Sequence, residues 1–136
     1  MKIGFIGLGN VGGKLASSLL RNKFNLTVKD LNKNLTNEFQ NKGAKIANST
    51  RELAEQNDLI ITCLPSPEIC AEVMESADGV INGISKNKIW LEMSTTDETE
   101  VKRLGKLVLD KGANPLDAPV SGGCHRAATG NIAIFV

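Results

Sequence analysis

This sequence has almost no excess of charge of either sign. The 16 lysines and arginines are balanced by 15 aspartates and glutamates, so the net charge is only +1. A nearly neutral chain has no long-range field that would gather nucleic acid or an anionic membrane. No apolar run is long enough to span a bilayer, and a strand-like pattern follows Met1 without room for a secretory signal. We therefore expect a cytoplasmic protein that has neither nucleic acid nor membrane as a partner.

Cysteine and histidine are scarce as well. The three cysteines, Cys63, Cys70 and Cys124, form no C-x-x-C pair, and the single histidine is not spaced from them like a metal ligand. An odd number of separated cysteines is typical of reduced thiols rather than of a disulfide framework. The scarcity argues against a zinc site, and we expect no metal.

Glycine, by contrast, is plentiful, and its most informative cluster lies near the N-terminus. Gly7, Gly9 and Gly12 form a G-x-G-x-x-G pattern between the strand-like run Lys2–Ile6 and apolar residues at helical spacing, Val11, Leu15 and Leu19. In dinucleotide-binding folds such glycines allow a tight turn, close approach of the backbone to a pyrophosphate and close packing of helix on strand. The N–H groups at the helix start attract the anion. We predict that a dinucleotide binds at Gly7, Leu8, Gly9, Asn10, Val11 and Gly12.

A carboxylate lies at the position where dinucleotide-binding folds contact the adenosine ribose. Asp30 closes a second apolar run, Leu26–Val28, about 20 residues after the glycines. A carboxylate at this place accepts hydrogen bonds from the adenosine ribose hydroxyls and repels a 2′-phosphate, so Asp30 favours NAD. NADP stays open, because polar residues flank the position and could hold that phosphate: Lys29, Asn32 and Lys33.

Strand and helix patterns alternate at least four times along the chain. The continuous apolar run Leu59–Cys63 is typical of a parallel strand buried on both faces, and we predict that it is central. The alternation predicts an α/β fold of Rossmann type, which is a doubly wound, mostly parallel sheet with helices on both faces. A chain of 136 residues suffices for one such domain, residues 1–136.

Four motifs occur in order along the chain. They are the glycine motif Gly4–Gly12, Leu64-Pro65 after the fourth strand, Glu92–Thr95 after the fifth, and the loop Asp117–Gly123. Together they resemble the N-terminal cofactor-binding domain of the β-hydroxyacid dehydrogenase family, which includes 3-hydroxyisobutyrate dehydrogenase. The last motif, Asp-Ala-Pro-Val-Ser-Gly-Gly, is similar to the family's substrate motif almost letter for letter. The resemblance covers essentially the whole chain.

The resemblance implies an NAD(P)-dependent oxidoreductase that transfers a hydride between nicotinamide and a small 3-hydroxy acid or semialdehyde. It places Leu64, Pro65 and Thr95 along the cofactor. It places Ser121, Gly122 and Gly123 at the substrate carboxylate, a role that suits a hydroxyl followed by two glycines with unobstructed N–H groups.

The same resemblance implies that the catalytic lysine lies beyond Val136, in an all-α C-terminal domain that these residues do not include. No residue of this chain matches its motif, so we expect the chain to bind cofactor and to turn over little or no substrate by itself. We expect homo-oligomers only with that domain. The apolar run Ile132–Val136, predicted as a strand, fits a domain cut from a longer protein.

Other interpretations stay open. A related carbonyl or imine reductase would share this half and differ in the catalytic residue, whereas a non-catalytic dinucleotide-binding module would need no second half. His125 and Arg126 depart from the small residues common after the family's Ser-Gly-Gly. They either reach a second acidic group on the substrate or lie on an exposed helix face, and we favour the exposed face.

Overall fold

Six parallel strands form the main sheet of the computed structural model, which describes residues 1–136. In chain order the strands are β1 (Lys2–Ile6), β2 (Asn25–Lys29), β3 (Lys45–Ile46), β4 (Leu59–Thr62), β5 (Ile89–Glu92) and β6 (Asn114–Asp117). They lie in the order β3-β2-β1-β4-β5-β6, and every neighbouring pair is parallel. This is the strand order of a Rossmann fold, so the predicted fold class is confirmed.

Six helices accompany this sheet, five of them packed on its two faces and the last packed on the first helix. They are α1 (Asn10–Arg21), α2 (Lys33–Asn41), α3 (Thr50–Gln56), α4 (Pro67–Glu75), α5 (Glu98–Asp110) and α6 (Gly123–Thr129). One apolar core, which contains Phe5 and Phe39, lies on the side of α1 and α2. The other contains Trp90 and Leu104 and lies on the side of α3, α4 and α5. None of the helices is long and apolar enough to cross a membrane.

The composition of β4 explains its central place in the sheet. Because successive side chains of a strand point to opposite faces, Ile60 joins one apolar core and Ile61 joins the other. β4 pairs with β1 on one side and with β5 on the other. The prediction of a central strand is confirmed, and the strand ends at Thr62 rather than at Cys63.

Side chains cap the starts of four helices, α2 to α5. Each cap accepts a backbone N–H from the first turn of its helix, and the capping residues are Asn32, Ser49, Ser66 and Asp97. By contrast, α1 begins after Gly9 and α6 after Gly122, and neither start has a side-chain cap. The uncapped helices are the two whose first turns follow glycine motifs.

The apolar run at the end of the chain forms less strand than predicted. Only β8 (Ala133–Ile134) is extended and paired, antiparallel to β7 (Val120–Ser121), in a separate two-stranded sheet. Gly122, opposite Ile132, leaves the extended conformation with φ +126°. Pro119, opposite Phe135, accepts the Phe135 N–H but has no N–H of its own to continue the ladder. The predicted strand Ile132–Val136 is therefore shorter and lies outside the main sheet.

We expect Leu104→Ala to lower the free energy of unfolding by about 2–5 kcal/mol, because the side chain is fully buried and its loss leaves a cavity. Leu109→Ala is the matched control on the same helix. Leu109 is 58% exposed, so its truncation should change stability by less than about 0.5 kcal/mol. Urea unfolding followed by Trp90 fluorescence measures both variants. Equal losses would contradict the assigned buried face of α5.

Candidate functional site

A cleft of about 880 Å³ lies at the carboxyl edge of the sheet, over the ends of β1 and β4. The strand order reverses between these two strands, because the chain runs from β1 outward to β3 and then crosses back to β4. Open α/β sheets bind ligands in the crevice at such a switch point. The walls of the cleft come from the turns after β1, β2, β4, β5 and β7.

The turn after β1 is packed so closely that two of its glycines have no room for a side chain. A Cβ on Gly7 would collide with the carbonyl oxygen of Cys63, and Gly7 also has a φ of +98°. A Cβ on Gly12 would collide with the carbonyl oxygen of Gly7. Gly9 differs, since no atom lies within 4 Å of the place its Cβ would take. Gly9 lines the cleft, so its backbone is open to a bound group.

The first turn of α1 meets the cleft with its N–H donors uncapped. Asn10, Val11 and Gly12 line the cleft, and Gly9 has no side chain that could accept a hydrogen bond from them. The first N–H groups of a helix have no partner within the helix, and the helix dipole adds positive potential there. This arrangement suits an anion without a basic side chain.

Asp30 lines the cleft, and it also holds the turn after β1. Its Oδ2 accepts the N–H of Leu8 at 2.7 Å, and its Oδ1 accepts the N–H of Asn32 at 2.8 Å. Each carboxylate oxygen keeps a further lone pair for a ligand hydroxyl. The side chain of Leu8 is buried beside Phe5 and does not line the cleft, so Leu8 contributes only its N–H to Asp30.

The turns after β4 and β5 form the opposite wall. Leu64, Pro65 and Thr95 all line it, and Ser94 lies among them. The hydroxyl oxygen of Ser94 accepts the backbone N–H of Leu64 at 2.7 Å. One hydrogen bond therefore ties the two turns together.

A buried polar cluster lies behind this wall, and we name it the Glu92 cluster: Thr62, Cys70, Trp90, Glu92 and Ser94. Oε2 of Glu92 accepts the Thr62 hydroxyl at 3.0 Å and the Cys70 thiol at 2.8 Å. Oε1 accepts the backbone N–H of Ser94 at 2.6 Å. The Trp90 indole N–H donates to Thr62 at 2.9 Å. Glu92 is fully buried and forms no ion pair with a lysine or arginine.

Two thiols stand near this carboxylate, and both are poor nucleophiles. Burial raises the pKa of Cys63 from 9.0 to about 11, and the charge of Glu92 adds to the shift. The pKa of Cys70 is raised further by burial and then by Glu92. Both thiols are protonated near neutral pH, and a protonated thiol packs as a small apolar group.

The third part of the cleft is formed where β7 passes into α6. Ser121, Gly122 and Gly123 all line it, and both glycines have positive φ angles, +126° and +71°. The aliphatic part of Arg126 lies over Gly122 and would contact any Cβ placed there. His125 and Arg126 are both exposed and neither lines the cleft, in keeping with the favoured exposed face. That neither side chain reaches a substrate group stays a prediction.

The cleft brings together all the residues predicted to bind cofactor or substrate, apart from the Leu8 side chain. It also contains residues that we did not predict: Leu35, Thr50, Ile69, Val73, Met93, Ser94, Val120 and Ile132. Most of them come from segments distant in sequence that only the strand order brings to one edge. Ser94 lies inside the Glu92–Thr95 motif, so its hydroxyl was a signal that sequence reasoning missed.

A family model described as the NAD-binding domain of 6-phosphogluconate dehydrogenase matches residues 2–136. Mitochondrial 3-hydroxyisobutyrate dehydrogenase of Mus musculus is 39% identical over 134 residues, which are 98% of this chain and 40% of that protein. Cytokine-like nuclear factor N-PAC of Pongo abelii is 31% identical over 98% of this chain and 24% of its own length. The chain thus spans less than half the length of these relatives.

Solved structures show the same fold over nearly the whole chain. The 3-hydroxyisobutyrate dehydrogenase of Mycobacterium tuberculosis, determined with L-serine, has a TM-score of 0.90 at 26% identity and covers 98% of this chain and 45% of its own. An imine reductase from Pseudomonas sp. has a TM-score of 0.84 at 26% identity and covers 92% of this chain and 43% of its own.

Gly12→Ala and Gly9→Ala should differ sharply in stability. We expect Gly12→Ala to cost about 1–3 kcal/mol, because its Cβ meets a backbone carbonyl that cannot move aside easily. Gly9→Ala, with open space at its Cβ, should change the free energy of unfolding by less than about 0.5 kcal/mol. Urea denaturation gives both values, and an equally destabilised Gly9→Ala would refute the described turn.

Cys63 should react slowly with iodoacetamide at pH 8. A pKa of about 11 instead of 9.0 leaves roughly a hundredfold less thiolate than an ordinary cysteine has. The rate should then rise about tenfold per pH unit until the pKa is approached. Mass spectrometry of the Cys63 peptide follows the reaction, with the urea-unfolded chain as control. Equal labelling rates in the folded and unfolded chains at pH 8 would rule out the raised pKa.

Proposed function

This chain belongs to the family of the NAD-binding domain of 6-phosphogluconate dehydrogenase, and from that membership we propose that its cleft binds a nicotinamide dinucleotide. The observation that carries the proposal is the start of α1. Uncapped N–H donors and the open space at Gly9 face the same cleft, which is what a pyrophosphate requires. A cleft of about 880 Å³ is also within the size range of small-molecule and cofactor sites.

The walls of the cleft indicate which part of the dinucleotide would lie at which strand end. Its pyrophosphate would lie at Gly9–Gly12, and its adenosine ribose would lie towards Asp30 at the end of β2. The nicotinamide half would then extend over the ends of β4 and β5, beside Leu64, Pro65 and Thr95. When bound, nicotinamide supplies the hydride chemistry, and the residues of this chain bind and orient it.

We propose NAD as the preferred cofactor and NADP as the weaker one. The Asp30 carboxylate would repel a 2′-phosphate, and the next residue, Leu31, is 95% exposed and carries no charge to bind one. Lys29 also lines the cleft and is the feature that keeps NADP binding possible.

For the whole protein we propose oxidation of a small 3-hydroxy acid, or reduction of a semialdehyde. Two observations support it: the motif Asp117–Gly123 and the identity to relatives named 3-hydroxyisobutyrate dehydrogenase. Ser121, Gly122 and Gly123 would receive the substrate carboxylate. Lys29 is the one lysine that lines the cleft, and it lies at the β2 end. No other lysine lines the cleft, so we propose that this chain binds cofactor and turns over little substrate by itself.

Two alternatives use the same cofactor site. An imine or carbonyl reductase is supported by the fold and the 26% identity shared with the Pseudomonas enzyme. A non-catalytic dinucleotide-binding module is supported by the 31% identity to a relative that is named as a nuclear factor. Assays of the longer protein with 3-hydroxy acids and with cyclic imines would separate the three proposals.

Titration of the chain with NADH and NADPH tests the cofactor site. Bound NADH should quench Trp90, the single tryptophan, by energy transfer, and NADH should bind more tightly than NADPH. Asp30→Ala should weaken NADH binding about tenfold, or ~1.4 kcal/mol, and reduce the preference for NADH, because it removes the carboxylate from the ribose end.

Asp110→Ala is the matched control, since Asp110 is exposed at the end of α5 and lies outside the cleft. It should leave both affinities unchanged. Tighter binding of NADPH by the wild-type chain would contradict the proposed role of Asp30, and saturable binding of neither cofactor would reject the dinucleotide site itself.

A further inference from the structure

The fully buried Glu92 has no role in the binding scheme described above, although it organises much of the wall around the cleft. Its two oxygens accept hydrogen bonds from three different parts of the fold. These are Thr62 at the end of β4, Cys70 on α4, and the backbone of Ser94 after β5. A buried carboxylate without a cation is costly, and an apolar side chain would fill the same space without that cost. The turns that its hydrogen bonds hold in place therefore offer a reason for a carboxylate here.

The contacts lead from Glu92 to the surface of the cleft in two steps. Glu92 fixes the backbone N–H of Ser94, and the Ser94 hydroxyl accepts the backbone N–H of Leu64. Leu64 and Ser94 both line the cleft. Pro65 cannot donate a backbone hydrogen bond, so the Leu64 N–H is the last donor that can anchor this turn before Ser66.

The hydroxyl group of Ser94 can form one more hydrogen bond, as a donor. Its oxygen accepts the Leu64 N–H, but its own hydroxyl proton has no acceptor within the chain. Ser94 is only 3% exposed, yet it borders the cleft. A hydroxyl held in this way can donate to a group bound beside Leu64 and Thr95.

We propose that Glu92 is a positioning residue for the nicotinamide half of the cofactor, and that Ser94 both positions the turn at Leu64 and donates its hydroxyl proton to that half. Both residues hold the turn at Leu64 and Pro65 in its binding geometry. The adenosine half of the cofactor is bound instead by Asp30 and the start of α1. This inference rests on the proposed dinucleotide function, because it assigns the wall at β4 and β5 to the nicotinamide end.

Glu92→Gln and Ser94→Ala test the two steps separately. The glutamine has the size of the glutamate but only one oxygen, so an NH₂ group must face either the Ser94 N–H or the Thr62 and Cys70 donors. Ser94→Ala keeps Glu92 and removes the acceptor of the Leu64 N–H. Thr27→Val is the matched control, because Thr27 is a buried hydroxyl on β2 that lies outside the Glu92 cluster and the cleft.

The first measurement needs no ligand. Amide hydrogen exchange by NMR should be faster at Leu64 by at least about tenfold in both variants, with little change in the central strands. Thr27→Val should leave Leu64 exchange unchanged. Unchanged exchange at Leu64 in both variants would overturn the positioning role, whether or not the chain binds a cofactor.

The second measurement compares NADH with ADP, which keeps adenosine and both phosphates but lacks the nicotinamide riboside. Ser94→Ala and Glu92→Gln should each weaken NADH binding by about tenfold and change ADP binding by less than about twofold. Equal weakening of both ligands, or of neither, would overturn the inference. A wild-type chain that binds neither ligand would reject the proposed function, and Leu64 exchange would then decide the positioning role alone.

Discussion

The turn between β1 and α1 has no space for a side chain at Gly7 or Gly12, and the site depends on that close contact. The carbonyl oxygens of Cys63 and Gly7 occupy the places where the two Cβ atoms would lie. This contact holds the ends of β1 and β4 against the first turn of α1, directly at the switch point of the sheet. Because Gly9 also cannot cap the helix, the same turn presents free N–H donors to the cleft.

Two carboxylates hold the walls of the cleft in similar ways. Asp30 accepts the N–H of Leu8 and so holds the turn after β1, while Glu92 accepts the N–H of Ser94 after β5. Glu92 is the last residue of β5 and Asp30 directly follows β2, and each accepts hydrogen bonds from backbone N–H groups of a turn that borders the cleft. A site whose turns are already held needs little ordering when a ligand binds, and this lowers the entropic cost of binding.

Much of the fold and part of the site could be predicted from the sequence, because the patterns involved are local. The glycine motif and the apolar run of β4 each specify an element by adjacent residues. The small β7–β8 pair could not be predicted, since Gly122 limits its length at one end and Pro119 at the other. Likewise, Asp30 was predicted to meet a ribose, but its bonds to backbone N–H groups depend on how β1 and β2 lie side by side. The Glu92 cluster joins residues of three elements that only the folded sheet brings together.

We propose that a dinucleotide lies across the carboxyl edge of this sheet from β2 to β5. Mapping of backbone amide NMR shifts during titration with NADH tests it most directly. We expect saturable shifts that are largest at the first turn of α1 and at Leu64, with none on the exposed face of α5 around Leu109. Shifts centred on α5 and β6, or no saturable shifts at all, would contradict it.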